Sequence, residues 1–227
     1  MVFSSRNSAS SSMKKYILAS MTVAVVFGGL VASVKADDIY PPPWQRGTAG
    51  TTEQGWTFAT SANPSTPDEG YFNPYGTPQA TITGTGNVWN AFYDNHVGVW
   101  TLSGSNSSMD LGIPNTPYDP TKYKTVWTQI TWEPTVTGQA APLVVVNGIQ
   151  SAPVTTTPSG NGSWFQSVYD TTLVPNPAFE DVIITGSYQL GEVIVDTQCV
   201  PEPSSLALLA VGAVSLLCAS RKRRLAA

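Results

Sequence analysis

Two uninterrupted apolar runs bracket a long stretch in which apolar and polar residues alternate over short distances. The first run covers residues 17–34 and follows Lys14 and Lys15; the second covers residues 206–219 and is followed at once by Arg221, Lys222, Arg223 and Arg224. Between them no long stretch keeps the 3.6-residue apolar period of an amphipathic helix. Short runs of Val, Ile, Thr and aromatic residues occur instead, each bounded by Gly, Pro, Asn or Asp, and this pattern predicts strands. They fall near residues 55–59, 80–83, 88–93, 97–102, 125–132, 143–146, 164–168, 182–185 and 192–196. The alternation is clearest in 124–132, where Val126, Ile130 and Trp132 share one face and Trp127, Gln129 and Thr131 the other. Asp94-Asn95-His96 and Asn147-Gly148 are turn candidates. Nine short strands with no helix between them predict an all-β fold, an antiparallel β-sandwich of jelly-roll type, with a barrel as the alternative.

The polar punctuation sets the boundaries. Residues 37–50 (DDIYPPPWQRGTAG) hold three consecutive prolines, which favour polyproline II, and predict an extended, solvent-exposed arm. Residues 61–78 carry four prolines and two glycines and predict a long irregular loop. The organisation expected is a signal peptide over 1–36, a sandwich domain with its arm over 37–198, and a C-terminal sorting segment over 199–227.

The N-terminal run reads as a signal peptide. Lys14 and Lys15 form the positive region, 17–34 the apolar region, and Val34-Lys35-Ala36 the short residues before a cut between Ala36 and Asp37. A leader counted from Met13 has ordinary length, so Met13 is an alternative start. A retained N-terminal anchor is the other reading; the abrupt polar shift at Asp37-Asp38 favours cleavage by signal peptidase.

Charge divides in the same way. Eight of the eleven Lys and Arg residues lie in the two end segments, leaving Arg46, Lys122 and Lys124 against fourteen acidic residues between Asp37 and Val200. So acidic a body repels nucleic acid and anionic lipid, and neither is expected as its partner. The acids keep an exported protein soluble, and calcium is the one ion they suggest, with Asp37, Asp38, Asp94, Asp110 and Asp119 as candidate ligands in no EF-hand pattern.

The C-terminal run is apolar on all sides. Residues 204–220 form about the shortest stretch that crosses a bilayer core, and they mix Leu with Ala207, Ala210, Gly212, Ala213 and Ser215 as membrane helices do. The four cations behind it hold that end on the cytoplasmic side and can snorkel to the interface. Val200-Pro201-Glu202-Pro203-Ser204-Ser205, the Leu/Ala/Val/Gly helix and the Arg-Lys-Arg-Arg tail, in that order, resemble the PEP-CTERM sorting signal of Gram-negative bacteria. The resemblance covers roughly the last 28 residues. It implies recognition at Pro201, Glu202 and Pro203 by an exosortase, a membrane cysteine protease-transpeptidase. It also implies transient anchoring in the inner membrane by the helix and Arg221–Arg224, then release or attachment at the cell surface. In that family the signal often accompanies exopolysaccharide and biofilm matrix. The opening 37–60, GYFNPYGTP and the closing GEVIVDTQCVPEP also resemble parts of exported, uncharacterised bacterial proteins with the same signal, which implies no activity.

Chemistry-bearing residues are few. Cys218 lies in the apolar run, so Cys199 is the only thiol of the mature body and no internal disulfide or cysteine metal site is expected. His96 is the sole histidine, it sits in a turn sequence, and no Gly-x-Ser-x-Gly element accompanies it. No spacing singles out a carboxylate pair for glycoside hydrolysis. Of the seven tryptophans, Trp127 is expected to point outward beside Tyr123, where the two can stack on a sugar ring; the competing expectation is that this face packs against a second sheet or the arm. The sequence therefore predicts a non-enzymatic surface or matrix protein. A carbohydrate-binding module is the alternative, and a hydrolase the weakest reading.

Overall fold

The computed structural model describes residues 38–159 and 162–201. The signal peptide, the Ala36–Asp37 bond, Glu202, Pro203, the apolar C-terminal run and Arg221–Arg224 lie outside the described residues. Thirteen strands follow one another: β1 Thr51–Trp56, β2 Glu69–Phe72, β3 Gln79–Thr83, β4 Val88–Tyr93, β5 His96–Thr101, β6 Ser108–Pro114, β7 Lys122–Pro134, β8 Leu143–Val146, β9 Ile149–Ser151, β10 Pro153–Ser159, β11 Trp164–Leu173, β12 Phe179–Thr185 and β13 Tyr188–Pro201. Among the described residues there is no helix, and so none long and apolar enough to cross a membrane.

The strands form two antiparallel sheets, as in a β-sandwich. The larger has eight strands in the order β10-β11-β7-β13-β1-β2, with β5 also pairing β13 and β4 pairing β5; the smaller runs β3-β6-β12-β8-β9. β7 and β13 are the long central pair, in register from Tyr188↔Pro134 to Pro201↔Lys122 with a bulge between Leu190 and Glu192. Two tight hairpins have positive φ at both central residues, Asp94 and Asn95 in one and Asn147 and Gly148 in the other. That is the turn whose twist matches paired strands.

Alternation along the strands builds the core. Val126, Ile130 and Trp132 of β7, Val193 and Val195 of β13 and Trp56 of β1 turn inward. Met109, Leu111 and Ile113 of β6, Val182 and Ile184 of β12 and Val144 and Val146 of β8 belong to the same buried cluster. Trp132 is buried without a stranded donor, because its indole N–H donates to Ser167 Oγ at 2.9 Å.

Four strands exceed what the sequence predicts. β6 alternates Met109, Leu111 and Ile113 with Ser108, Asp110 and Gly112, but Asp, Gly and Pro mask the signal. Asp110, a calcium candidate, is thus a strand residue. β10 contains Pro153 and Pro158 and is tolerated because it lies at a sheet edge. β2 and β9 have only four and three residues, and pairing defines them more than composition does.

The arm also differs from expectation. It is not free in solvent: residues 38–50 lie on the outer face of the larger sheet. Tyr40 N–H donates to Gln129 Oε1 at 3.2 Å, Trp127 Nε1–H donates to the Tyr40 carbonyl at 2.9 Å, and Cys199 N–H donates to the Gly50 carbonyl at 2.8 Å. The physical reason is a charged clasp that closes over a buried carboxylate.

Candidate functional site

That clasp is centred on Arg46. Its Nε and Nη2 each lie 2.7 Å from the Asp196 carboxylate, Nη2 also bonds Asp38 Oδ1 at 3.1 Å and Nη1 bonds Asp38 Oδ2, and Glu53 Oε1 lies 3.5 Å from Nη1. The Asp196 side chain is wholly buried. Burial pushes its carboxyl up to about 7, against the pull of the Arg46 bonds and charge. The same bonds hold the Arg46 guanidinium above its ordinary value although desolvation opposes them. The two shifts pull the shared proton in opposite directions. Two parallel 2.7 Å bonds from one guanidinium fork fit the ion pair.

Arg46→Ala would leave Asp196 buried without its counter-ion. The expected cost is about 3 kcal/mol, with Arg46→Lys in between because ammonium lacks the fork. Thermal unfolding reads the loss, and limited proteolysis cutting within 38–50 reads the release of the arm.

A second polar cluster lies inside the sandwich. The alternation that points Val126 inward also points Lys124 inward, and β12 likewise turns Glu180 to the side of Val182 and Ile184. Both are fully buried, with Nζ of Lys124 4.0 Å from Glu180 Oε1. Asn115 bridges them: its Oδ1 accepts from Lys124 Nζ at 2.6 Å, and its Nδ2 donates to Glu180 Oε2 at 2.6 Å and Thr197 Oγ1 at 2.7 Å. Thr116 Oγ1 takes a further Lys124 bond at 3.2 Å. Burial raises the Glu180 carboxyl to about 7 and lowers the Lys124 ammonium, each against the attraction of the other. Such an arrangement fixes strand positions. The sequence signal for it was present, since Lys124 shares parity with Val126, Ile130 and Trp132.

The sequence-predicted residues are spread over the domain. Pro201 is the last residue of β13 and is paired with Lys122, so the sorting motif begins where the central strand leaves the sheet. Trp127 is half-buried beneath the arm, edge-on to Trp44 with ring centroids 6.5 Å apart; Tyr123 lies four residues away on the same face and is also half-buried. His96 opens β5 at the hairpin turn and stacks on Trp164 at 3.8 Å. Asp94 accepts bonds from Ser163 Oγ at 2.9 Å and Trp164 Nε1 at 3.3 Å. Asp119 accepts from Thr121 and pairs with Lys122 at 2.9 Å. Asp38, Asp94, Asp110 and Asp119 therefore do not converge, Asp37 lies outside the described residues, and among the described residues no group of three His, Cys, Asp or Glu could hold a metal ion.

The outer face of the larger sheet carries one further row, which sequence reading missed. Gln166 of β11, Thr131 of β7 and Glu192 of β13 are cross-strand neighbours, with Gln166↔Thr131 and Glu192↔Thr131 in register. They are 1%, 2% and 6% exposed. Gln166 Nε2 and Oε1 and Thr131 Oγ1 are buried with no hydrogen-bond partner.

Comparison with known proteins bears on sorting. No curated protein matches the chain. Among solved structures, an exo-β-1,3-galactanase of Phanerochaete chrysosporium shares 16% identity at a TM-score of 0.31, over 51% of this chain. The match spans about a quarter (26%) of that enzyme's length. A carbohydrate-binding module described for specific mannan recognition shares 10% identity at a TM-score of 0.29, over 66% of this chain and 97% of its own. Among known families, the PEP-CTERM protein-sorting motif matches residues 200–224. That match takes in the Pro-Glu-Pro element, the apolar run and the basic tail in their expected order, and by it the chain is a PEP-CTERM protein.

Proposed function

We propose that the mature domain is a non-enzymatic cell-surface or extracellular-matrix protein of a Gram-negative bacterium. An exosortase-type protease delivers it, and exopolysaccharide is its setting. The observation that carries this reading is the sorting motif at 200–224, which starts at Val200, the last but one paired residue of β13. A sandwich, which we read as of jelly-roll type, is folded right up to the point where the signal begins, so removal of the tail leaves its sheets whole. The non-enzymatic reading rests on the sequence, whose one histidine sits at a hairpin turn. Fractionation of host cells tests the proposal. The domain should reach the surface or matrix without its apolar tail, and should stay full-length in the inner membrane of a strain lacking the exosortase. An identical distribution in both strains would remove it.

Glycan binding is the second reading. Its support is the partial exposure of Tyr123 and Trp127 on one face of β7, an apolar ring pair of the type that stacks on sugars. Concentration-dependent signal on a glycan array, lost in Trp127→Ala, would favour it over a purely structural role.

A further inference from the structure

We propose that the free edge of β4 is a self-association edge, on which a second copy of this chain lays its own β4 antiparallel about Asn90. β5 ties this hairpin to Gln189 and Leu190, at the other end of β13 from the sorting motif. The proposal therefore stands whether or not the tail is cut.

Other strand edges among the described residues are closed. Along β3, Ser65 and Ala80 exchange N–H···O bonds of 2.9 and 2.8 Å, and the Asn63 side chain bonds both the N–H and the carbonyl of Ile82 at 2.8 Å. β10 carries Pro153 and Pro158, and β9 has three residues. β2 has four residues, a positive φ at Gly70 and an irregular register with β1. Such devices keep strands from pairing with other chains. β4 has none of them. Val88-Trp89-Asn90-Ala91-Phe92-Tyr93 contains no proline, glycine or charge, runs beside β5 without a register shift, and pairs no other described strand. Val88 is 52% exposed, and the cross-strand pair Phe92 and Val97 are each 65% exposed, so this face is open.

The hairpin fixes which backbone groups point outward. Asp94 and Asn95 form a two-residue turn, so Tyr93 and His96 exchange both hydrogen bonds, and such positions alternate along an antiparallel pair. Ala91 and Trp89 then also face β5, which leaves the N–H and C=O groups of Val88, Asn90 and Phe92 on the free edge. These three positions are symmetric about Asn90. A twofold axis there pairs Asn90 with the partner's Asn90, and Val88 with the partner's Phe92, and each pair exchanges two N–H···O bonds. The side chains agree with the backbone, because Val88, Asn90 and Phe92 share one face. A polar pair on the axis is flanked by two exposed apolar pairs. A slip of two residues would set Asn90 against an apolar side chain, which fixes the register.

Charge favours the same contact. Between Asp37 and Val200 fourteen acidic residues oppose three cations, so two such bodies repel. From Gly70 to Met109, however, Asp94 is the one charged residue. The two Asp94 carboxylates would stand roughly 27 Å apart across the axis, well beyond the screening length at physiological salt. A second copy is the occupant because the edge complements itself in hydrogen bonds, side chains and charge.

The test uses the exported protein as its host processes it, under reductant so that Cys199 cannot link chains. In sedimentation equilibrium the mass should rise with concentration from that of one chain towards that of two. Over the same range, hydrogen exchange at the amides of Val88, Asn90 and Phe92 should slow about tenfold. The amides of Ala80 and Ile82, already bonded, should hold steady. Asn90→Pro removes an outward donor and spares the bonds to β5. Phe92→Lys places a charge on each side of the axis. Each variant should abolish the dimer while its monomer melts within about 4 °C of the parent, which separates lost association from lost folding. A single-chain mass at every concentration would overturn the proposal. So would a dimer that leaves these three amides unprotected, or one that survives both substitutions. Protection that appears only with added exopolysaccharide would assign the edge to a glycan and overturn it as well.

Discussion

Lys124→Ala is expected to destabilise the domain by about 3–5 kcal/mol, lowering its melting temperature by on the order of 10 °C. The substitution removes the cation that faces Glu180, and it strips Asn115 Oδ1 and Thr116 Oγ1 of a donor in a site closed to water. The cost comes from the groups left behind more than from the Coulomb attraction, so replacing both charges should cost far less than replacing one. Lys124→Met with Glu180→Leu is therefore predicted to recover most of the lost stability. A Lys124→Ala variant melting within 2 °C of the parent, a shift of less than about 1 kcal/mol, would show the cluster to be energetically idle.

The same network makes stability depend on pH with a definite sign. The Glu180 carboxyl rises from an ordinary 4.5 to about 7 because burial disfavours its charged form. A raised acid binds its proton more tightly in the folded state. Its contribution is complete below the unfolded value of 4.5 and is lost as the pH climbs through about 7. The expected loss is on the order of 3 kcal/mol between those limits. Melting temperature should therefore fall from pH 5 to pH 8, and Glu180→Gln should flatten part of that slope. A flat profile between pH 5 and pH 8, unchanged by Glu180→Gln, would mean that Lys124 keeps Glu180 ionised throughout.

Local features were the legible ones. Residues 88–93 and 143–146 read as strands with the ends the structure gives them, because turn residues with positive φ mark one side of each. The inward face of 124–132 followed from parity alone. The sorting motif was legible for a related reason, since its three parts act through their order along the chain and need no tertiary partner. What escaped was set by distant pairing. Arg46 and Asp196 lie 150 residues apart, and nothing in DDIYPPPWQRG announces that its one cation caps a carboxylate of the central strand. The prolines did predict an extended arm, but extension says nothing about what the arm lies on. Lys124 escaped because a lysine beside an apolar alternation is usually a solvated end, whereas here the strand continues past it and carries it inside. Gln166 and Thr131 carry no signal in themselves; only the register of β7 with β11 makes them neighbours.

Glu202→Ala is expected to abolish maturation while leaving export and membrane insertion intact. Glu202 lies outside the apolar run, so the hydrophobic transfer that inserts residues 206–219 does not depend on it. β13 ends at Pro201, paired with Lys122, and the folded domain therefore delivers the motif at a fixed point. The prolines on either side of Glu202 fix their own φ angles and keep the residues before them out of helical conformation. A protease that reads an extended carboxylate pays little ordering entropy at such a segment. The Glu202→Ala protein should accumulate in the inner membrane with its tail uncut. Neutralising Arg221, Lys222, Arg223 and Arg224 should fail differently: without the cytoplasmic charge bias the tail loses its stop, and full-length protein should leak from the cell. Fractionation with antibodies to the domain and to the tail separates the two outcomes. Normal processing and surface delivery of Glu202→Ala would reduce Pro-Glu-Pro to a stiff spacer and withdraw recognition from its carboxylate.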